Sequence, residues 1–402
     1  MLKLVYQGVD TLDVAIMGAA SDDVLRCLED ARTQAEAQPY DDYGIPITLG
    51  PDNRAFVVKG HGKKGGYRYT LVDIRTGSIF SVKKESRPQM WNVFVSARAH
   101  TLLSRGYEGT KSEFMACLDA MGVRPGGFSV NRIDYALDFV APDFVLDMAH
   151  FVAPRKSKVS PHFETGYHLD DYGEMPAKPD PSLPIGSVMR GGKFETVTIG
   201  KMPGRQVIVY DKTLAAKVQQ KPYWFPAWGI DPDDTASRVW RIEIRAGRDA
   251  WQAVQKPWGQ RTYETIEALH QRFLTTALQE VRYVTDRDRI SNVTRAQLHP
   301  LWQAAQDAVA KLPERPEPPL TPQYVIELMR KQRSAMAQAQ GYGNLNNLLI
   351  LERKTPDVIK RDYPQLVAEW ARDYIGRIGE DNLERKLIRI ADRQVAFLQK
   401  GD

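Results

Sequence analysis

FSVNRIDYALDFV, residues 128–140, alternates through its second half: Arg132, Asp134, Ala136 and Asp138 fall on one side of an extended chain, and Ile133, Tyr135, Leu137 and Phe139 on the other. Period two with one apolar side predicts a half-buried strand that aims charge away from the core. Two later stretches follow the same rule, RQVIVYDK at 205–212 and VWRIEIRAG at 239–247. KFETVTIG at 193–200 precedes the first of them, and Gly200 to Gly204 can turn the chain between the two as a hairpin.

Working toward the N-terminus, β-prone runs occur at 3–10, 12–17, 55–59, 67–74, 78–82 and 93–96, separated by glycines, prolines and polar residues. Ser21 precedes a helical pattern through Val24, Leu25, Leu28, Ala31 and Ala35. Thr110 and Glu113 have the spacing of a capping box, which predicts a helix over 111–121 that ends at Gly122. Beyond Thr262 the pattern changes to amphipathic helix, in ETIEALHQRFLTTALQEV and then QLHPLWQAAQDAVAKL. Thr321-Pro322 and Thr355-Pro356 each set an N-cap before a proline at the first helical position. Leu383, Leu387, Ile390 and Leu398 then line one face of a last helix. The expected class is α+β, an antiparallel-sheet core with a helical C-terminal region.

At 402 residues the chain has room for two or three domains of roughly 100–200 residues each. The expected divisions are a sheet-rich part over 1–255 with a proline- and glycine-rich insertion near 151–192, associated helices over 256–312, a linker over 313–322 and a helical module over 323–402. PERPEPPLTP carries too many prolines to continue a helix and suits a semi-rigid spacer. Fifty-five Lys and Arg against 50 Asp and Glu leave a formal charge of +5, which permits a polyanionic partner without demanding one. Two cysteines, Cys27 and Cys117, exclude a disulfide scaffold and a cysteine zinc site. Asp10 and Asp13 interrupt any apolar export segment near the start, and no 18-residue apolar run follows, so a cytoplasmic protein with no membrane partner is expected.

If the three charged strands are neighbours, their polar sides converge. Asp134, Asp138 and Glu243 then offer the hard oxygen ligands that Mg2+ or Mn2+ prefers, although residues four apart in a strand stand about 13 Å apart and cannot both bind one ion directly. Tyr210 carries a hydroxyl able to attack a phosphate, provided a base, a metal or positive charge makes its phenolate accessible. Lys212, Arg132 and Arg241 are the candidates to stabilise that phosphate. The plain alternative is a solvated sheet face with ordinary ion pairs, on which Tyr210 is one of 17 tyrosines.

The ordered set RIDYALDF, TVTIGKMPGRQVIVYDK and WRIEIR resembles the replication initiation factor family of rolling-circle plasmids, filamentous phages and mobile elements. The resemblance covers about residues 128–245, with GVDTLDVAI and WNVFVSARA similar to upstream strands. It implies that 1–255 is a DNA nicking and strand-transfer domain with a catalytic antiparallel sheet. By the same resemblance Tyr210 is the nucleophile that retains a 5′ phosphate, Lys212 belongs to the YxK signature, Arg132, Asp134 and Asp138 to RxDxxxD, and Glu243 to the acidic strand position. The implied activity is metal-dependent nicking and rejoining of origin DNA at an exposed single-stranded site, with a host helicase, a DNA polymerase and a second copy of the chain as further partners. A conjugative relaxase using the same chemistry and a non-catalytic origin-binding protein are the alternatives. The chain departs from an HxH metal motif, since His162 and His168 are six residues apart in the insertion.

A path for DNA is expected at two basic patches, His61, Lys63, Lys64 and Arg68 beside Tyr67 and Tyr69, and Lys83, Lys84 and Arg87, with Arg205 nearer the nucleophile. No GxxxxGK[ST] loop is present, so unwinding must come from supercoiling or a partner. GYGN near 341 lacks the strand-turn-helix context of a dinucleotide site.

Overall fold

The computed structural model describes residues 2–37, 44–85, 87–154, 159–161, 196–234, 236–255, 261–285, 295–312, 317–352 and 354–393. Most of the insertion expected near 151–192, with His162 and His168, and the first residues of the proline-rich linker lie outside the described residues. The architecture is α+β, a large antiparallel sheet followed by a helical C-terminal region. The chain divides into two compact units, Met1–Thr321 and Pro322–Asp402.

The first unit is organised by its sheet. Its strands are β1 (Lys3–Met17), β2 (Ile45–Leu49), β3 (Arg54–Lys59), β4 (Tyr69–Asp73), β5 (Ile79–Val82), β6 (Trp91–Ala97), β7 (Gly127–Val140), β9 (Val159–Pro161), β10 (Thr196–Gly200), β11 (Arg205–Asp211) and β12 (Val239–Gly247). They lie in the order β2-β3-β4-β5-β6-β1-β7-β12-β11-β10-β9, and every pairing is antiparallel. The short strands β8 (Phe151–Val152) and β13 (Arg282–Tyr283) form a separate pair. The helices of this unit are α1 (Asp22–Glu36), α2 (Ala99–Ala120), α3 (Lys212–Val218), α4 (Trp224–Trp228), α5 (Arg248–Gln255), α6 (Tyr263–Glu280) and α7 (Pro300–Ala310).

One side of the sheet is apolar and covered. Leu12, Val14 and Ile16 of β1, Ile133, Leu137 and Phe139 of β7, and Ile242 and Ile244 of β12 join Phe114 and Leu118 of α2 and Phe273 and Leu274 of α6 in one core. The alternation in 132–139 sorts its side chains onto two sides as expected, but the strand is not half-buried: Asp134 and Asp138 on the charged side are as covered as Ile133 and Leu137 on the other, because ion-paired side chains pack over them. The Gly200–Arg205 hairpin closes tightly: Gly200 has φ +99°, and a Cβ there would meet the Arg205 carbonyl oxygen at 2.2 Å.

Two local expectations are corrected. The runs 3–10 and 12–17 are one strand, because β6 and β7 pair with it on either side and an extra residue is absorbed between Val9 and Thr11. Helix α2 begins at Ala99 and passes a kink at Gly106, so Thr110 is interior; its hydroxyl donates to the Gly106 carbonyl at 2.7 Å instead of capping a new helix. Glu113 turns to Arg54, which also holds Asp73, in a buried ion-pair cluster with distances of 2.7 and 2.8 Å. The C-terminal unit comprises α8 (Pro322–Leu351), α9 (Pro356–Ile378) and α10 (Glu380–Arg393). Thr355 caps α9 by accepting from the Val358 amide, and Leu387 and Ile390 of α10 are exposed.

Candidate active site

Register brings the charged strands together. Tyr210 of β11 stands opposite Arg241 of β12, which stands opposite Asp138 of β7, which stands opposite Tyr6 of β1. The next row runs Ile208, Glu243, Ala136 and Gly8, and the one after that Gln206, Arg245, Asp134 and Thr11. Cross-strand partners share a side of a sheet, so Tyr210, Arg241, Asp138, Glu243, Asp134 and Arg132 all emerge from the face that the core does not use.

Tyr210 is half-buried, and its hydroxyl donates to Glu243 Oε2 at 2.9 Å. Lys212 Nζ donates to the same phenol oxygen at 3.3 Å. Alternation in β11 places Tyr210 and Lys212 on one side, and Asp211, aimed the other way, caps α3 by accepting from the Leu214 amide at 3.0 Å. Burial, and next the Glu243 carboxylate, push the Tyr210 phenol well above its ordinary range. Burial, and next the Arg241 charge, bring the Lys212 amine down to about 8. Lys212 also lies over the Trp224 ring, 4.8 Å from its centroid.

Arg241 is completely buried. Its Nε and Nη2 donate to the two oxygens of Asp138 at 2.6 and 2.8 Å, and its Nη1 donates to Asp10 at 2.6 Å. Trp228 Nε1 donates to Asp138 Oδ2 at 2.8 Å. These bonds make the pair an internal anchor: Asp138 presents no unshared face to a cation, and Arg241 presents none to a phosphate. Asp10 is the extra residue of β1 opposite β7, a bulge that re-aims its carboxylate toward Arg241. Burial raises the Asp10 carboxyl, but Arg241 and Lys212 more than offset this and hold it at about 2.

The second cluster faces outward more. Arg132 Nε donates to Asp134 at 2.8 and 3.0 Å. Arg245 Nε donates to Glu243 Oε1 at 2.6 Å and lies 3.6 Å from Asp134 Oδ2. Asp134 is pushed up to about 7: burial is the main cause and outweighs the lowering by its hydrogen bond to Arg132, and Glu243 beside it adds to the rise. Two crowded carboxylates at one spot are a fit for a Mg2+ or Mn2+ ion, which binds through one or two carboxylates together with substrate phosphate oxygens. Asp134 and Glu243 are therefore the pair with the chemistry to hold such an ion, with Arg245 now between them. Among the described residues, no group of three or more His, Cys, Asp or Glu side chains stands as a metal cluster.

The residues expected to bind DNA separate into two groups. Arg68 donates from Nε to Glu29 at 2.7 Å, Lys84 stands 3.8 Å from the same carboxylate, and Arg205 is paired with Glu280. His61, Lys63 and Lys64 are exposed, and Lys83 is half-buried. Tyr69 is buried with its hydroxyl on Glu29, so of the two expected aromatic neighbours only Tyr67 faces outward. Reading the strands missed Asp10, Tyr6, Trp228 and Arg245. Only Arg245 had a signal, as the next residue of the Arg241-Glu243 alternation.

No protein-family model matches the chain, and no curated protein matches it in sequence. Among solved structures, the rolling circle replication initiator protein from Geobacillus stearothermophilus is similar at 14% identity, over 78% of this chain and 98% of that chain, with a TM-score of 0.38. That is a weak, partial structural likeness.

Proposed function

We propose that this protein nicks and rejoins single-stranded DNA through a phosphotyrosyl ester at Tyr210, as an initiator of rolling-circle replication. The observation that carries the reading is one half-buried phenol held at once by a carboxylate, Glu243, and an amine, Lys212. The family resemblance of the three strands assigns the same tyrosine.

In the forward step Tyr210 Oη bonds to phosphorus, its proton passes to Glu243 Oε2, and the bond from phosphorus to the 3′ oxygen breaks, that oxygen taking a proton from solvent water to leave as a 3′ hydroxyl. In-line displacement puts the leaving oxygen on the far side of phosphorus from Tyr210. Lys212, on the attacking oxygen, thus supports the phenolate and does not protonate the leaving group. Arg245, partly exposed and bonded to Glu243, is the cation assigned to the non-bridging oxygens, with Arg132 beside Asp134 farther along β7, while Arg241 and Asp138 hold the strands in register. A Mg2+ or Mn2+ ion at Asp134 and Glu243 would supply polarisation of the phosphate. Rejoining reverses the order: a 3′ hydroxyl gives its proton to solvent water as it attacks the ester, the bond from phosphorus to Tyr210 Oη breaks, and Glu243 returns its proton to Tyr210. The free 3′ end suits a polymerase, and the lack of a P-loop in the sequence calls for a helicase or supercoiling to expose the strand.

The test is capture of labelled single-stranded origin DNA with Mg2+ or Mn2+ present. Wild-type protein forms an adduct that survives denaturation and Tyr210→Phe forms none. Equal capture by the two would remove Tyr210 as nucleophile, and binding without any adduct would leave a non-catalytic origin-binding protein.

A further inference from the structure

Lys63 and Tyr67 close a tight turn, with the Lys63 amide donating to the Tyr67 carbonyl at 2.8 Å, that folds back toward β6. Lys63 Nζ stands 3.9 Å from the centroid of the Phe94 ring, Lys83 Nζ stands 5.1 Å from that of Tyr67, and the Tyr67 and Phe94 rings are 6.0 Å apart. Arg98, at the end of β6, is exposed and approaches Asp13 at 3.8 Å. Among the described residues, neither Lys63 nor Lys83 is in an ion pair within 4.0 Å. The cluster is thus two partly exposed aromatic rings and three cations against one carboxylate.

Its place in the sheet matters as much as its composition. Asp13 stands opposite Ser96 on one side and Arg132 on the other, so Ser96, and with it Phe94 two residues earlier, share the face that carries Arg132, Asp134 and Glu243. Both Lys63 and Arg132 feel the charge of Asp13, which sits between the cluster and the site. From β6 to β11 there are four strand spacings, about 19 Å across the sheet, and along β7 Ser129, in the row of Phe94, precedes Asp138, in the row of Tyr210, by a further distance of about 30 Å. Cation, ring, cation, and then Arg132 and Arg245 on the rows between them and Tyr210 form one track.

We infer that Phe94, Tyr67, Lys63, Lys83 and Arg98 are a binding track for single-stranded DNA, leading across β6, β1 and β7 to the phosphate that Tyr210 attacks. This rests on the function proposed above and names how its substrate is held. Single strands fit because unpaired bases expose flat faces to the rings while their phosphates meet the cations. Paired bases cannot reach Phe94 from inside a duplex. On binding, a phosphate draws Lys63 off the Phe94 ring and a base takes its place on that ring.

The probe is labelled oligo-dT, with a blunt duplex of equal length for comparison, in a binding assay on the full chain. Expected are tighter binding of oligo-dT than of duplex, a loss of about 5- to 100-fold for Phe94→Ala, and affinity near wild type for Phe94→Tyr. The double variant Lys63→Gln/Lys83→Gln, both at positions outside the core, should lower the slope of log affinity against log salt by about 1.4. Oligo-dT binding and salt slope unchanged in both the Phe94→Ala and the double variant would overturn the track, as would duplex bound as well as single strands. Adduct formation is scored separately. A wild type that captures origin DNA while these variants bind oligo-dT unchanged defeats the track alone. A wild type that shows the predicted binding pattern and never forms an adduct defeats the nicking reaction and leaves the track standing.

Discussion

Two regions of one sheet face are built on opposite electrostatic plans. Around β7, β12 and β11 each carboxylate has a cationic or hydroxyl partner: Asp138 and Asp10 share Arg241, Asp134 has Arg132, and Glu243 has Arg245 and Tyr210. Around β5 and β6, Lys63 and Lys83 lie against aromatic rings with no carboxylate in contact among the described residues. A neutralised, buried cluster can hold geometry to a fraction of an ångström, because moving any member strands another charge. A surplus of exposed cations cannot hold geometry, but it attracts a polyanion. The proposed reaction and the proposed attraction thus fall on different parts of the same surface.

That contrast can be tested hardest at Glu243. Removing the proton acceptor with Glu243→Gln should slow adduct formation by about 10²- to 10⁴-fold, with a far smaller change in oligo-dT affinity, checked by single-turnover capture and by binding. An equal loss in both would mean that the two regions are one functional cluster.

The next largest effect falls on stability. Asp138→Ala leaves the buried Arg241 with Asp10 as its remaining acid partner, and a loss of about 3–5 kcal/mol in urea unfolding is expected. Lys83→Gln, in the other region, should leave the unfolding midpoint within experimental scatter.

The smallest effect is a pH dependence at Lys212. Its amine is held at about 8 in the fold against 10.5 for a free lysine. Capture should therefore fall as pH rises through about 8, as the ammonium that supports the phenolate is lost, and Lys212→Met should lose that limb. Stability moves the other way. The unfolded chain binds the proton more tightly between these two values, so wild type should gain thermal stability relative to Lys212→Met as pH rises from about 8 to 10.5.

Which side chains share a face of the sheet could be read from the sequence. Alternation in 132–139, 206–212 and 240–245 was enough to say which side chains share a face, because a strand has no other way to bury half its residues. What alternation could not say is which carboxylate meets which arginine. Asp138 looked like a metal ligand and Arg241 like a phosphate ligand; in the fold they neutralise each other, since register sets them opposite one another. Thr110 and Glu113 matched a capping box, yet Gly106 lets α2 begin earlier, and packing of Phe114, Cys117 and Leu118 holds the hydroxyl inside a helix.

Local chemistry, then, was sufficient for the class of fold and for setting Tyr210, Lys212 and Glu243 on one side of the sheet, because period two and a few side-chain types are properties of neighbouring residues. The bulge that aims Asp10 at Arg241, the pairing that silences Asp138 and the approach of Lys63 to Phe94 were decided only when distant strands came together. Each depends on the register between segments far apart in the chain, and no short stretch contains that information.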